Sequence, residues 1–499
     1  MKNNLSDYII HHAANNGDKI FCHEINGSKI TYKDFNDKIN QCCKFFKKLN
    51  LENQSLISVK LENSIEYLII YFSCLRSNII INPLPDSLSK NETIKNLKSI
   101  NPDLYFGREN VFVSKNQICK CFEIKNYSEF IELLNQYDEA DFNLISNVSD
   151  DTACIYYSSG TTGNPKCVEY THGNMLSLIR SISLEFGFTK KEIFLGVLPV
   201  GHTAIINYQL LPCVLLGAKM ILVKNFNSIR PDLWKIICDF KISNFQIVPT
   251  ILFAMLSTPY AIEDVNKNKT LKYISCGSAP LSSNIQQKSK ERFNIPVSNL
   301  YGLSETGPSH FDDPLSNDWI PGSIGYPLTV NECVILDENN NECPIGEVGQ
   351  IGLKGKNVFK GYYNNVEATK NAFHNDFFLT GDIGYQNEDG KFFFSDRVKD
   401  LIIKGGVNIV PGEIEEVIYK IDDVLSVAII GKEDRLFGED LVAFIQKSSD
   451  SKIDANYIKT FLSDYFQPLK IPQDIRFINK MPIGPSGKIL KKELRTINE

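Results

Sequence analysis

Tyr156-Tyr157-Ser158-Ser159-Gly160-Thr161-Thr162-Gly163-Asn164-Pro165-Lys166 is the stretch whose residue types say most about the chain. It follows an apolar run, Ala153 to Tyr157, that reads as a strand. It precedes a segment with apolar residues at helical spacing: Met175, Leu176, Ile179 and Ile182. A dense run of Gly, Ser and Thr bends freely and presents backbone N–H groups and hydroxyls to an anion, and Lys166 adds a full positive charge. The run is not a Walker loop, because Lys166 does not directly follow the second glycine, Gly163.

Outward from that stretch the chain alternates. Thr31 to Leu49 has helical spacing through Phe35, Ile39, Cys43 and Phe46. Ser55 to Val59 reads as a strand, Glu66 to Leu75 as a helix, and Ile79 to Ile81 as a buried strand. The same alternation fits Ile193 to Val223 and predicts stacked, mostly parallel α/β sheets. From Thr329 to Gly361 the character changes. Short strands, Glu332 to Leu336 and Gly349 to Leu353, are separated by turn formers at Asn339–Asn341 and Pro344–Gly346, which predicts a small barrel or meander. After Arg397, a helix Glu413 to Ile421, strands Val424 to Ile430 and Leu441 to Gln446, and a helix Asp454 to Phe466 predict a small α+β unit. The fold class is therefore α/β, with a large N-terminal region carrying a β-barrel-like subdomain over residues 1–395. A small C-terminal domain occupies 396–499, the boundary falling near Ser395–Asp400.

A chain of 499 residues exceeds what one hydrophobic core usually serves, in keeping with that division. Its net charge is −6 and its pI about 5.8, so no global basic field attracts nucleic acid or an anionic membrane. The N-terminus, Met1 to Asp18, lacks the apolar core of a secretory signal. The most apolar stretch, Tyr67 to Leu84, carries Arg76, Asn78 and Asn82 and reads as a buried helix running into a strand, not a membrane span. The 13 cysteines, including Cys42–Cys43 and Cys119-x-Cys121, lack zinc spacing and read as small buried hydrophobes in a reducing cytoplasm.

The run Ser158 to Lys166 resembles the signature loop of the adenylate-forming, AMP-binding superfamily: acyl-CoA synthetases, aryl-CoA ligases, peptide-synthetase adenylation domains and firefly-type luciferases. The usual continuation is Pro-Lys-Gly, and here Cys167 stands at the glycine position. The other motifs of that superfamily follow in order. Leu198-Pro199-Val200-Gly201-His202 is similar to the segment that places a gate, here His202, at the acyl pocket. Ser275-Cys276-Gly277-Ser278-Ala279-Pro280-Leu281 is similar to the small-residue strand end lining the adenine and acyl pockets, where ligand lies against backbone. Tyr301-Gly302-Leu303-Ser304-Glu305 resembles Tyr-Gly-x-Thr-Glu, Thr380-Gly381-Asp382 and Asp396-Arg397-Val398-Lys399-Asp400 resemble two ribose-binding segments, Lys404 to Pro411 resembles a pantetheine-tunnel loop, and Pro485-Ser486-Gly487-Lys488-Ile489 resembles the loop of the catalytic lysine.

The resemblance implies an ATP and AMP site formed by Ser158, Ser159, Gly160, Thr161, Thr162, Gly163, Lys166, Ser278, Ala279, Pro280, Asn299, Tyr301, Gly302, Asp382 and Arg397. Within it Tyr301 stacks on adenine, Ser304 touches the α-phosphate, Glu305 holds Mg²⁺, and Asp382 and Arg397 bind ribose. Lys488, Ser304, Glu305 and His202 are the implied catalytic residues, and His202, Cys276, Gly277 and Ser278 the implied acyl pocket. Lys399 is the implied hinge of a mobile C-terminal domain, and Gly405 and Gly406 the implied pantetheine tunnel. The activity implied is that of an acyl-CoA synthetase: a carboxylic acid is activated with ATP and Mg²⁺, then transferred to CoA. Loading of an acyl or peptidyl carrier protein is the alternative, since its phosphopantetheine presents the same thiol. Around His202 no acidic residue stands ready to pair with an α-ammonium group. A buried unpaired ammonium is costly, so a fatty or aryl acid is expected in place of an α-amino acid.

Overall fold

The computed structural model describes residues 4–25, 27–111, 119–142, 145, 148–158, 166–484 and 488–497. Two seven-stranded sheets carry most of the N-terminal half. The first runs, in spatial order, through Gly361–Tyr362, Cys167–Thr171, Thr152–Tyr157, Ile80–Pro83, Leu56–Lys60, Leu104–Gly107 and Lys120–Glu123. The second runs through Val297–Leu300, Ile274–Gly277, Asn244–Ile247, Ile193–Gly196, Lys219–Leu222, Ile20–Glu24 and Lys29–Thr31. Their central pairs are parallel, as crossover helices require, with antiparallel strands only at one edge of each.

Helix starts follow local capping chemistry. Thr31 accepts from the Asp34 N–H at the head of Tyr32–Lys48, whose apolar stripe Phe35, Ile39, Cys43 and Phe46 is buried. Thr171 and Asn174 form a capping box at the head of His172–Glu185. The helix Ile65–Arg76 is buried on every side. Arg76 is tolerated there because Asn36, Asn40 and Ser6 accept its guanidinium N–H groups at 2.5–2.9 Å. One continuous apolar core joins both sheets and these helices. Among the described residues no helix is long and apolar enough to cross a membrane, and all thirteen cysteines are free thiols, most of them buried.

A third, antiparallel sheet contains the strands expected as a barrel, Asn331–Leu336 and Gly349–Gly355, and extends through Phe377–Gln386 and Phe392–Arg397 to Ser323–Pro327 and His310–Phe311. Asp396 and Arg397 are still in its strand Phe392–Arg397. The chain then makes the single turn Val398–Asp400 and enters a five-stranded sheet at Ile402–Lys404. In that last sheet the side chains alternate between two cores. Val427 and Ile429 face one with Leu441, Ala443 and Ile445, while Ala428 and Ile430 face the other with Val442 and Phe444. The chain is thus α/β, with a large region of mixed parallel sheets and a smaller C-terminal α+β unit.

The C-terminal unit rests on the N-terminal region through its first helix, Pro411–Ile418. Glu416 accepts from the Ser283 N–H at 3.0 Å and from the Ser283 hydroxyl. The Tyr419 ring stacks on Phe253, and Lys288 pairs with Asp422.

Candidate active site

Between the loop and the helix the chain inserts a strand, Cys167–Thr171, antiparallel to Thr152–Tyr157. The residues flanking the loop therefore close a hairpin neck, the Ser158 N–H donating to the Lys166 carbonyl at 2.9 Å. Ser159, Gly160, Thr161, Thr162 and Gly163 lie outside the described residues. Lys166 is exposed, its Nζ 4.4 Å from the centroid of the Tyr362 ring.

His202 caps a short helix, its Nδ1 accepting from the Ala204 N–H at 3.2 Å. Burial, and then the positive charge of Lys488, lower its pKa to about 4, so the imidazole is neutral at physiological pH. The helix passes directly into a buried π-helical turn, Ile206–Leu210, which Tyr208 ties to the Tyr301 carbonyl at 3.5 Å. Such turns are rare and concentrate at functional sites.

The strand Ile274–Gly277 ends where Gly277 packs so closely on its neighbour that a Cβ there would lie 2.5 Å from the Leu300 carbonyl oxygen. Ser278 then turns with φ +69°, a left-handed conformation normally left to glycine. Ser278 and Ala279 are half-buried and Pro280 is exposed. Cys276 has no exposed surface and belongs to the apolar core, and burial pushes its thiol pKa above the usual range.

Gly302–Leu303 and Gly307–Pro308 form a tight hairpin that presents Ser304 and Glu305 at its turn. Asn299, in the strand ahead of it, directs its side-chain amide into the protein, donating to the Ser323 carbonyl at 3.1 Å. Tyr301 is buried, edge-on to His310, and its hydroxyl donates to Asp382 Oδ2 at 2.9 Å. The register of Phe377–Gln386 against Phe392–Arg397 sets Asp382 opposite Arg397, with Arg397 Nε 3.1 Å from Asp382 Oδ1. Beyond that ion pair the buried Oδ1 atom accepts no hydrogen bond. A carboxylate oxygen can accept more than one donor, so a ligand hydroxyl fits beside Arg397. Burial raises the Asp382 pKa, opposed first by Arg397.

Glu305 is buried as well. The Tyr362 hydroxyl donates to its Oε1 at 3.1 Å. Burial raises its pKa, while the Tyr362 bond and then the charges of Lys166 and Lys488 favour the carboxylate. Lys488 arrives from the far end of the sequence. It stands at the end of a small hairpin bridged at Ile483 and Ile489, with the Gly484 N–H donating to its carbonyl at 2.8 Å. The rest of that turn, Pro485, Ser486 and Gly487, lies outside the described residues. Lys488 is held within electrostatic reach of Arg397, Asp382, Glu305, Lys399 and His202. Burial, and then the like charge of Arg397, lower its pKa to about 8.

These groups converge: an anion-accepting Lys166, a buried carboxylate at Glu305, an Asp382–Arg397–Tyr301 cluster, and the Lys488 ammonium. The two glycines are elsewhere. Gly405 and Gly406, with φ +59° and +80°, form the turn between Ile402–Lys404 and Val407–Ile409, where the Gly405 N–H donates to the Phe437 carbonyl at 2.8 Å. Lys399 lies exposed in the turn Val398–Asp400. Sequence reasoning missed Tyr362 and the π-helical turn. Tyr362 sits in an ordinary Gly-Tyr-Tyr run, with no local signal to mark it.

Comparison with known proteins gives this geometry its family. Residues 9–363 match the model of the AMP-binding enzymes, and residues 413–488 match the AMP-binding enzyme C-terminal domain. The putative acyl-CoA ligase YdaB of Bacillus subtilis (strain 168) is 28% identical over 98% of each chain. The 2-succinylbenzoate–CoA ligase of Bacillus pumilus (strain SAFR-032) is 30% identical over 94% of this chain and 93% of its own. Among solved structures, ATP-bound MatB from Rhodopseudomonas palustris superposes with a TM-score of 0.93 at 25% identity, covering 100% of this chain and 99% of that one. The apo form of MatB, with the same coverage and identity, gives 0.83. The chain belongs to the AMP-binding, adenylate-forming enzymes, the family that includes the acyl-CoA ligases.

Proposed function

We propose that this enzyme activates a fatty or aryl carboxylic acid as its acyl-AMP and then transfers the acyl group to the thiol of CoA. The observation that carries this reading is the meeting of Lys488 with Asp382, Arg397, Glu305 and His202, since that one site then holds cation, ribose acceptor and metal carboxylate together. In the first step the acid's carboxylate oxygen attacks the α-phosphorus of ATP, an O–P bond forms, the α–β anhydride bond breaks, and pyrophosphate leaves. Charge spreads over phosphate oxygens, so catalysis is positioning and electrostatics. Lys488 bridges the carboxylate and the α-phosphate. Asp382 accepts from the ribose hydroxyls, Arg397 donates beside it, and Tyr301 walls the base. Lys166 and the loop of residues 159–163 take the departing phosphates.

Among the described residues no three His, Cys, Asp or Glu side chains are grouped to hold a metal. A lone buried carboxylate at Glu305 fits Mg²⁺, which ordinarily keeps waters and takes phosphate oxygens alongside one or two carboxylates. Such an ion neutralises phosphate charge; holding it falls to Glu305, with Ser304 beside the α-phosphate.

In the second step the CoA thiolate attacks the acyl carbon, the C–O bond to AMP breaks, and AMP leaves. Lys488 crowds that carbon, so the C-terminal domain, the part of the chain that follows Lys399, rotates on the N-terminal region about that residue and brings Gly405 and Gly406 to the site. The present arrangement, with Lys488 at the site and the two glycines away from it, is the one suited to the first step. The closer superposition on the ATP-bound form of MatB supports this.

The test is acid-dependent ATP–pyrophosphate exchange across a panel of aliphatic and aryl acids, followed by product formation with CoA and with carrier proteins as acceptor. Exchange with at least one such acid and thioester with CoA are expected. No exchange with any acid overturns the adenylation reading, and thioester on a carrier protein alone overturns the choice of CoA.

A further inference from the structure

We propose that Tyr362 is a positioning residue that aligns the two charged ends of the phosphate site, holding the Glu305 carboxylate with its hydroxyl and seating the Lys166 ammonium on its ring. The inference rests on the adenylation reading above. Tyr362 belongs to the two-residue strand Gly361–Tyr362, which pairs antiparallel with Cys167–Thr171, the strand leaving the phosphate loop. Lys166, immediately ahead of that strand, places its Nζ 4.4 Å from the Tyr362 ring centroid, within cation–π range. From the other side, the Tyr362 hydroxyl donates to Glu305 Oε1 at 3.1 Å. Tyr362 thus touches both.

The surrounding segment is built as a strap between those two elements. The Asn357 side chain donates to the Thr306 carbonyl at 3.1 Å, and the Phe359 N–H donates to the Glu305 carbonyl at 2.8 Å. The Lys360 N–H then donates to the Glu169 carbonyl, and the Tyr363 N–H to the Cys167 carbonyl. Tyr362 is fixed in turn by Thr369, which accepts its N–H at 2.8 Å, and by the edge of the Phe359 ring, 4.9 Å away. A carboxylate with one oxygen pinned cannot swing toward Lys166 or Lys488 when ATP is absent. A lysine resting on a ring is directed without being neutralised by a counter-ion. Both effects leave the charges free for phosphate and metal.

Two variants separate the contributions. Tyr362→Phe keeps the ring and removes only the hydroxyl. Tyr362→Leu removes both. For Tyr362→Phe, the Mg²⁺ concentration giving half-maximal ATP–pyrophosphate exchange should rise about tenfold, the worth of one hydrogen bond to a charged group. The maximal rate at saturating Mg²⁺ should stay within about threefold of wild type. Calorimetric titration with ATP alone should be unchanged, while the gain in ATP affinity on adding Mg²⁺ shrinks. Tyr362→Leu should in addition raise KM for ATP about threefold to tenfold as Lys166 loses its seat. Acyl transfer from pre-formed acyl-adenylate to CoA should be unaffected in both. Placing Tyr362→Phe on Glu305→Gln should add little, because the hydroxyl acts through that carboxylate.

Three results overturn the proposal: an unchanged Mg²⁺ dependence in Tyr362→Phe, losses that add fully in the double variant, or an equal fall in both half-reactions with or without a lowered melting temperature. Failure of the wild-type enzyme to exchange pyrophosphate overturns the adenylation reading instead, and is seen before any variant is made.

Discussion

Lys488 offers the prediction that the structure supports most quantitatively. Its ammonium is lowered to about 8, chiefly by burial and then by Arg397, while Asp382 and Glu305 pull in the other direction. An exposed lysine stays charged to about pH 10.4. In the ATP-free enzyme Lys488 therefore discharges well before an exposed lysine would as pH rises. Being a cation, it is charged below about pH 8 and neutral above it, so the adenylation rate should fall on the alkaline side. By pH 9 only about a tenth of the molecules carry the charge. The quantity to measure is kcat/KM for ATP in pyrophosphate exchange between pH 6 and 10, which reports groups in the free enzyme. Lys488→Arg replaces the group by one that stays charged throughout, so its profile should lose the alkaline limb even though its rate is lower. Lys488→Ala should lower exchange by about 10²–10³, the cost of one preorganised charge donor at a reacting phosphate, or about 2.7–4 kcal/mol. Thioester formation from supplied acyl-adenylate should fall far less. An alkaline limb that persists in Lys488→Arg, or equal losses in both half-reactions of Lys488→Ala, would refute this reasoning.

Three further outcomes are expected. Ser278 holds φ +69°, where a side chain costs about 1–2 kcal/mol, partly offset by the entropy, worth about 0.4–1 kcal/mol, that glycine brings to the unfolded chain. Ser278→Gly should thus stabilise by about 0.5–1 kcal/mol, read as a raised urea midpoint in the fluorescence of Trp234 and Trp319, and a lowered midpoint would contradict the strain. Glu416→Ala removes the acceptor that ties Pro411–Ile418 to Ser283; adenylation should slow about threefold to tenfold, with transfer from acyl-adenylate less affected. Lys399→Pro should leave pyrophosphate exchange largely intact and abolish thioester formation, and loss of both together would remove Lys399 as the hinge.

The candidate site was legible only through its order along the chain. Tyr301 to Glu305, Thr380 to Asp382 and the Lys488 segment are, one at a time, ordinary turn formers or a surface lysine, and it is their succession, resembling that of the AMP-binding superfamily, that singles them out. The α/β alternation of the first third also holds, since Ile65–Arg76 and Ile80–Pro83 lie where hydrophobic spacing placed them. What could not be read was pairing. Cys167–Thr171 is a five-residue strand whose partner, not its own pattern, makes it a strand. The register that sets Asp382 against Arg397 depends on two strands meeting late in the chain. Tyr362 gains meaning only because its strand is hydrogen-bonded some 190 residues back to Cys167–Thr171 while its hydroxyl reaches Glu305. The left-handed turn at Ser278 was hidden for the opposite reason, since serine gives no hint of positive φ.

Where the oxygen of the acid goes is the sharpest test of acyl-adenylate formation. The acid should be supplied with both carboxylate oxygens as ¹⁸O, turned over with ATP and CoA, and the AMP, pyrophosphate and phosphate examined by mass spectrometry. One ¹⁸O in AMP and none in pyrophosphate is expected, because the oxygen that attacks the α-phosphorus stays there when the C–O bond breaks. Label in pyrophosphate or phosphate, or AMP without label, would contradict attack at the α-phosphorus.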